Sequence, residues 1–159
     1  MKRIKLSQGK FALIDDEDFE RVSKHKWSAG KYARDTWYAK TMINGKFVQM
    51  HRFILNPNAN QLTDHKNHNG LDNRRRNIRV CETWQNQANR IKRSKASSRF
   101  KGVHWQAARK VWIAKIKRNG IAKHLGNFHD EIEAAIAYNK AAINIFGDFA
   151  YLNIIPRRT

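Results

Sequence analysis

Cysteine and proline are both scarce: the 159 residues contain one Cys and two Pro. A single thiol closes no internal disulfide, and without paired cysteines no structural zinc knuckle of the Cys-x-x-Cys kind can form, so no zinc is expected. Cys81 lies between Val80 and Glu82 in an apolar, strand-like run, where it reads as a small core residue. Long apolar runs are missing too, and nothing approaches the roughly 18 residues a membrane span needs. The first residues, MKRIKLSQGKF, are basic but have no apolar region behind them, and no stretch sets a greasy helical face against a cationic one. Secretion and membrane binding are therefore disfavoured, and a cytoplasmic protein is expected. Acids are few: 13 Asp and Glu stand against 32 Lys and Arg, a formal net charge of +19. Self-repulsion of that size implies an anionic partner, with nucleic acid leading. At 18.7 kDa the chain can bury one ordinary core or two small ones, and two small modules fit its organisation.

Alternating patterns come early. KFALIDDEDF joins an apolar run to an acidic turn, and WYAKTMINGKFVQMHRFIL reads as two strand-like runs around Asn44-Gly45, a strong hairpin signal. The N-terminal third should be mostly β. The carboxylates of Asp15, Asp16, Glu17 and Asp18 read as a solvated turn capping DFERVSKHKW, in preference to a metal site. From Asn89 to Gly102, in NRIKRSKASSRFKG, six residues are Lys or Arg around a small Ala-Ser-Ser, the composition of a linker. Such a linker, with Lys92 and Arg93, is a natural strap across phosphates. Beyond it, FKGVHWQAARKVWIAKIKRNGIAKHLGNF reads as a three-stranded meander with turns at Gln106 to Lys110 and at Asn119-Gly120. Core packing is the expected role of at least one of Trp105 and Trp112. The following HDEIEAAIAYNKAAINIFG predicts a helix over the sheet, with Ile132, Ala135, Ile136, Asn139, Ala142, Ile143 and Phe146 on one face, Asp130 as cap and Gly147 as stop.

The chemistry-bearing stretch is TDHKNHNGLDNRRRNIRV, Thr63 to Val80. QLTDH reads as a strand ending at His65, the Asn- and Gly-rich part as a loop, NIRVCE as a second strand, and TWQNQANRIK as a helix capped by Thr83. Strand, loop, strand and helix are expected to bring Asp64, His65 and Asn86 towards one point. The Asp64 carboxylate and the Asn86 amide oxygen suit a hard divalent cation, with water and phosphate oxygens completing its shell. Neighbours in a strand face opposite ways, so Asp64 can hold metal while His65 works on water. Arg74, Arg75, Arg76 and Arg79 are candidates to clamp backbone phosphates.

The order Asp64-His65, Asn77, Asn86, with His51-Arg52 upstream and NRRRNIRV between, resembles the HNH endonuclease family in the Asp-His form of phage and intron homing endonucleases. The resemblance covers about 51–90. It implies a ββα-metal fold with a single divalent ion, Mg²⁺ or Mn²⁺, held by Asp64 and Asn86. His65 would be the general base, and Asn77 would brace the loop and the histidine. A bacterial or phage-infected cell would be the setting. Two positions depart from the pattern: His68 stands where a small residue is common, and Thr63 where an apolar one is. For His51, support of the local structure is the expected role.

A second resemblance covers about Ser97 to Asn153. SSRFKGVHW, VWIAKIK, KHLGNF, EAAIAYNKAAINIFG and AYLN are similar to the Apetala-type DNA-binding domain of plant ethylene-response factors. It implies a sheet laid in the major groove, its contacts falling on Lys101, His104, Lys115, Lys117 and His124. Lys and His replace several Arg and Trp of that family, which keeps the positive face and loses the bidentate fork suited to guanine.

Together these readings describe an α+β chain: residues 1–88 as an HNH nuclease domain, an N-terminal β segment plus the ββα-metal motif; 89–98 as a basic linker; 99–159 as a small three-stranded antiparallel sheet plus helix that binds DNA. The expected activity is metal-dependent hydrolysis of a phosphodiester bond in double-stranded DNA by a monomer or a DNA-assembled dimer, with no protein partner evident. The alternative is a DNA-binding regulator whose HNH module does not cut. An RNA-binding protein is a third reading, disfavoured by the lack of an aromatic platform of the RNA-recognition type.

Overall fold

The structure, a computed structural model, describes residues 1–32, 36–92 and 97–156. The chain divides into two compact units, Met1–Glu82 and Thr83–Thr159. Among the described residues no helix is long and apolar enough to cross a membrane.

The first unit opens with an antiparallel hairpin, β1 (Lys2–Lys5) and β2 (Phe11–Ile14), whose alternation turns Ile4, Ala12 and Ile14 inward. Helix α1 (Asp16–Ser23) follows, then a meander of β3 (Ser28–Lys31), β4 (Trp37–Ile43) and β5 (Lys46–Gln49). The β4–β5 turn falls on Asn44-Gly45, both at positive φ, as a tight hairpin with the strands' own twist requires. The second apolar run is shorter than expected. It stops at Gln49, and Met50–Leu55 is a helix, α2, because Met50 and Ile54 bury one helical face while Asn56, in the left-handed region, ends it. Strands β6 (Leu62–His65) and β7 (Ile78–Cys81) pair antiparallel, with Asp64 opposite Arg79 and His65 opposite Ile78. Ile14, Val22, Trp27, Met50, Ile54 and Ile78 form the core. Met50 is fully buried, and truncating such a side chain to alanine costs about 2–5 kcal/mol. Cys81 is buried as expected, and burial pushes its thiol up to about 11.

The acidic turn is not simply solvated. Asp18 is 2% exposed and takes a paired contact from Arg75, Nε to Oδ2 at 2.9 Å and Nη2 to Oδ1 at 2.9 Å, with Arg21 also on Oδ1 at 3.1 Å. A buried carboxylate needs such partners. Arg75 is 57 residues away, beyond the reach of local pattern.

The second unit begins with α3 (Thr83–Asn89), whose Trp84 and Ala88 pack with Ile116, Tyr138, Ala142 and Phe146. The meander expected from the sequence is present: β8 (Val103–Gln106), β9 (Val111–Arg118) and β10 (Ile121–Phe128), in the order β10-β9-β8. Helix α4 (Glu131–Phe146) lies over it, Asp130 accepting the Ile132 amide at 2.7 Å and Gly147 ending it at positive φ. Its buried face is rotated from the one expected. Ala134, Ala135, Tyr138, Ala142 and Phe146 face inward, whereas Ile136 and Ile143 are exposed, because alanines let the helix approach the sheet closely. Trp112 packs on the core and Trp105 lies against it, ring centroids 5.0 Å apart, half in solvent.

Candidate active site

His65 ends β6 and is 4% exposed, the last inward-facing position before the loop. Its ring lies 4.6 Å from that of His51 on α2 and 5.6 Å from that of Tyr38 on β4, centroid to centroid. Its Nε2 is 3.2 Å from Asn73 Oδ1. Burial, the largest influence, lowers the His65 pKa against the opposing pull of Asn73, Asp64 and Asp72. His51 is held lower still, at about 3, by burial first and then by His65 and Arg52. Burial thus favours the neutral imidazole in both.

Asp64 faces away from His65, as alternation demands, and meets its cross-strand partner: Arg79 donates to Asp64 Oδ2 from Nε at 3.2 Å and Nη2 at 2.9 Å. Both side chains are 10% exposed. The pair fixes the direction of a hard carboxylate oxygen, a donor that suits a hard divalent cation. Among the described residues no group of three or more His, Cys, Asp or Glu could hold a metal ion, so a shell built on Asp64 would draw on amide, water and phosphate oxygens. Asn86, the expected second ligand, is half-buried on α3 and belongs to the second unit.

The asparagines of the loop explain its composition. Asn67 accepts the Asn69 amide at 2.9 Å, and Asn69 accepts that of Leu71 at 3.0 Å. Asn77 spans the loop, taking the Asn67 amide at 3.1 Å and donating to the Asp72 carbonyl at 2.7 Å. The amide at the histidine is that of Asn73, which carries no signal of its own in the sequence. Two strands hold the loop from outside. Leu13 of β2 donates to Leu71 and accepts from the Asn73 amide, both at 2.8 Å. Gly70 sits so close to β4 that a Cβ there would meet Trp37 O at 2.4 Å.

The loop arginines are mostly engaged at home. Arg74 forks onto Asp72 with two contacts of 2.6 Å, Arg75 onto Asp18, and Arg79 onto Asp64. Arg76 is exposed and, among the described residues, has no carboxylate partner.

In the second unit Lys115 and Lys117 alternate onto the outer face of β9, and His124 pairs with Lys115 across the strands. His104 shares that face through its partner Ile113. Burial, then Lys115, Lys92 and His124, lower the His104 pKa, so these groups are neighbours. Lys101 and Lys92 are engaged within the fold. The Lys101 ammonium donates to Gln87, Ala88 and Arg90 carbonyls at the end of α3, and Lys92 to those of Phe100 and Val103. Arg93 lies outside the described residues.

The first unit thus sets a buried histidine at the end of one strand, a carboxylate on that strand's other face, and a loop held by asparagine hydrogen bonds between the two strands. A protein of Acanthamoeba polyphaga mimivirus named as an uncharacterized HNH endonuclease is 34% identical to this chain over 155 residues, 93% of the chain and 77% of that protein. The chain belongs to the HNH endonuclease family. No family model matches it, and no solved structure does.

Proposed function

We propose that the protein is a metal-dependent endonuclease that hydrolyses phosphodiester bonds of double-stranded DNA in the manner of HNH homing enzymes, with His65 as general base. The observation that carries this reading is the setting of His65: buried, its pKa lowered by that burial, and held between Tyr38, His51 and Asn73 at the end of β6. A neutral imidazole takes a proton from a water aligned behind phosphorus, a role that contributes about 10²–10⁴-fold. Asp64 would hold the ion, Mg²⁺ or Mn²⁺, and Asn86 is the further oxygen ligand the resemblance implies. The bound ion supplies positive charge against the phosphate and the departing 3′ oxygen. Arg79 keeps the Asp64 carboxylate directed, and Asn77 keeps the loop from shifting the histidine. Arg76 is the loop arginine best placed to meet a phosphate, since its three neighbours are engaged with carboxylates. The basic outer face carrying His104, Lys115, Lys117 and His124 supports targeting by the C-terminal sheet, as in Apetala-type domains.

The deciding experiment is cleavage of supercoiled plasmid by purified protein in Mg²⁺ beside His65→Ala and an EDTA control. Nicked or linear product that needs both metal and His65 is the expected result. Tight DNA binding with an intact plasmid in Mg²⁺ and in Mn²⁺ would give the regulator reading the field.

A further inference from the structure

Asn73 is 0% exposed, yet one end of its amide is used: Oδ1 lies 3.2 Å from His65 Nε2, while Nδ2 has no hydrogen-bond partner among the described residues. A buried orphan donor is an expense the fold would avoid with an apolar side chain of the same size. The amide at this position is therefore explained by its oxygen. That oxygen is also fixed in place. The Asn73 main chain donates to Leu13 O at 2.8 Å, Leu13 bridges Asp72 as a parallel pair, and Asp72 is clamped by Arg74.

We infer that Asn73 is a positioning residue which sets the tautomer of His65: its carbonyl oxygen accepts the Nε2 proton and so leaves the lone pair on Nδ1, the nitrogen that takes the proton from water. The inference rests on the reading of His65 as general base. An oxygen acceptor at Nε2 requires a proton there, and in a neutral imidazole the other nitrogen is then unprotonated. Wrong-tautomer variants of other histidine enzymes lose activity with their geometry intact, so the expected cost lies in turnover rather than in binding. The arrangement also gives the first hairpin a task at the site, because Leu13 of β2 holds the loop that carries the acceptor.

The test uses the full-length protein labelled with ¹⁵N at histidine. Two-bond proton–nitrogen correlation reads the His65 tautomer without metal, the His65→Ala spectrum assigns the signal, and plasmid nicking in Mg²⁺ gives kcat and KM. Wild type should be protonated at Nε2. Asn73→Leu, close in size but without an acceptor, should show a mixed or reversed tautomer and lose roughly 10²-fold in kcat with KM little changed. Asn73→Asp keeps an acceptor oxygen and should restore the tautomer and most of the rate. An Nδ1-protonated wild type overturns the inference, as does a folded Asn73→Leu with unchanged tautomer and turnover. If Asn73→Leu fails to melt cooperatively, the wild-type and Asn73→Asp tautomers decide alone. Undiminished nicking by His65→Ala removes the reading of the base, while the spectra still report whether Asn73 sets the ring.

Discussion

Residues 1–82 hold 17 Lys and Arg with 9 Asp and Glu, and residues 83–159 hold 15 with 4. Similar numbers of cations are put to different uses. In the first unit Arg74, Arg75 and Arg79 each face a carboxylate, and the pairs tie the loop to α1 and to β6. In the second unit all four acids lie on or beside α4, and the sheet's outer face is left to Lys115, Lys117 and the two histidines. Charge is paired internally in the first unit and displayed on a sheet face in the second, the division that the proposed function expects between chemistry and DNA binding. A count of basic residues cannot separate the two uses; the partner of each guanidinium can.

The sharpest test of that contrast is His65→Ala. Plasmid nicking should fall by at least about 10²-fold while gel-shift affinity is retained, since binding is attributed to the other unit's sheet. Next in size is a pH effect led by the first unit. The folded His51 pKa, about 3, lies below its unfolded value near 6.5, so the unfolded chain binds the extra proton between those limits. Stability is thus fully present above 6.5 and is lost as pH falls towards 3, by on the order of 1.4 kcal/mol per unit. Urea unfolding at a series of pH values should show that slope, and His51→Phe, which keeps a buried ring, should reduce it, leaving the share of His65. Arg75→Ala comes third. Asp18 would keep only Arg21, and stability should drop by about 1–3 kcal/mol in the same assay. Lys117→Gln should leave stability within about 0.5 kcal/mol. The contrast collapses if Arg75→Ala weakens DNA binding at unchanged stability. The smallest effect is the finest discriminator: Lys115→Gln and Lys117→Gln should each reduce the slope of log affinity against log salt by about one.

Much of this was legible in the sequence where the signal was local. Asn44-Gly45 announced its hairpin, QLTDH and NIRVCE their strands, and Asp130 the start of α4. The errors share a cause. MHRFIL is six apolar-rich residues, too short for periodicity to separate strand from helix, so His51 was expected on a strand and stands on α2. The isoleucines of α4 looked like its inner face because hydrophobicity ranks them above alanine, whereas closeness to the sheet selected alanine. Asp18 was assigned to solvent because nothing nearby in the chain shows that Arg75 awaits it. Asn73 carries no periodic signature; only its distance to an imidazole distinguishes it from the other loop asparagines.

The tethers of the loop also have a temporal side. Arg75 meets Asp15 and Asp18 across 60 and 57 residues, and such closures carry an entropic cost that only the finished contact returns. The surroundings of His65 therefore belong among the late events of folding, since they need both the first hairpin and the last strand of the unit. A ribosome-bound chain that has not yet released Val80 has β6 without its pairing strand, and the histidine without its walls. Until the first unit is complete, the geometry around His65 does not exist.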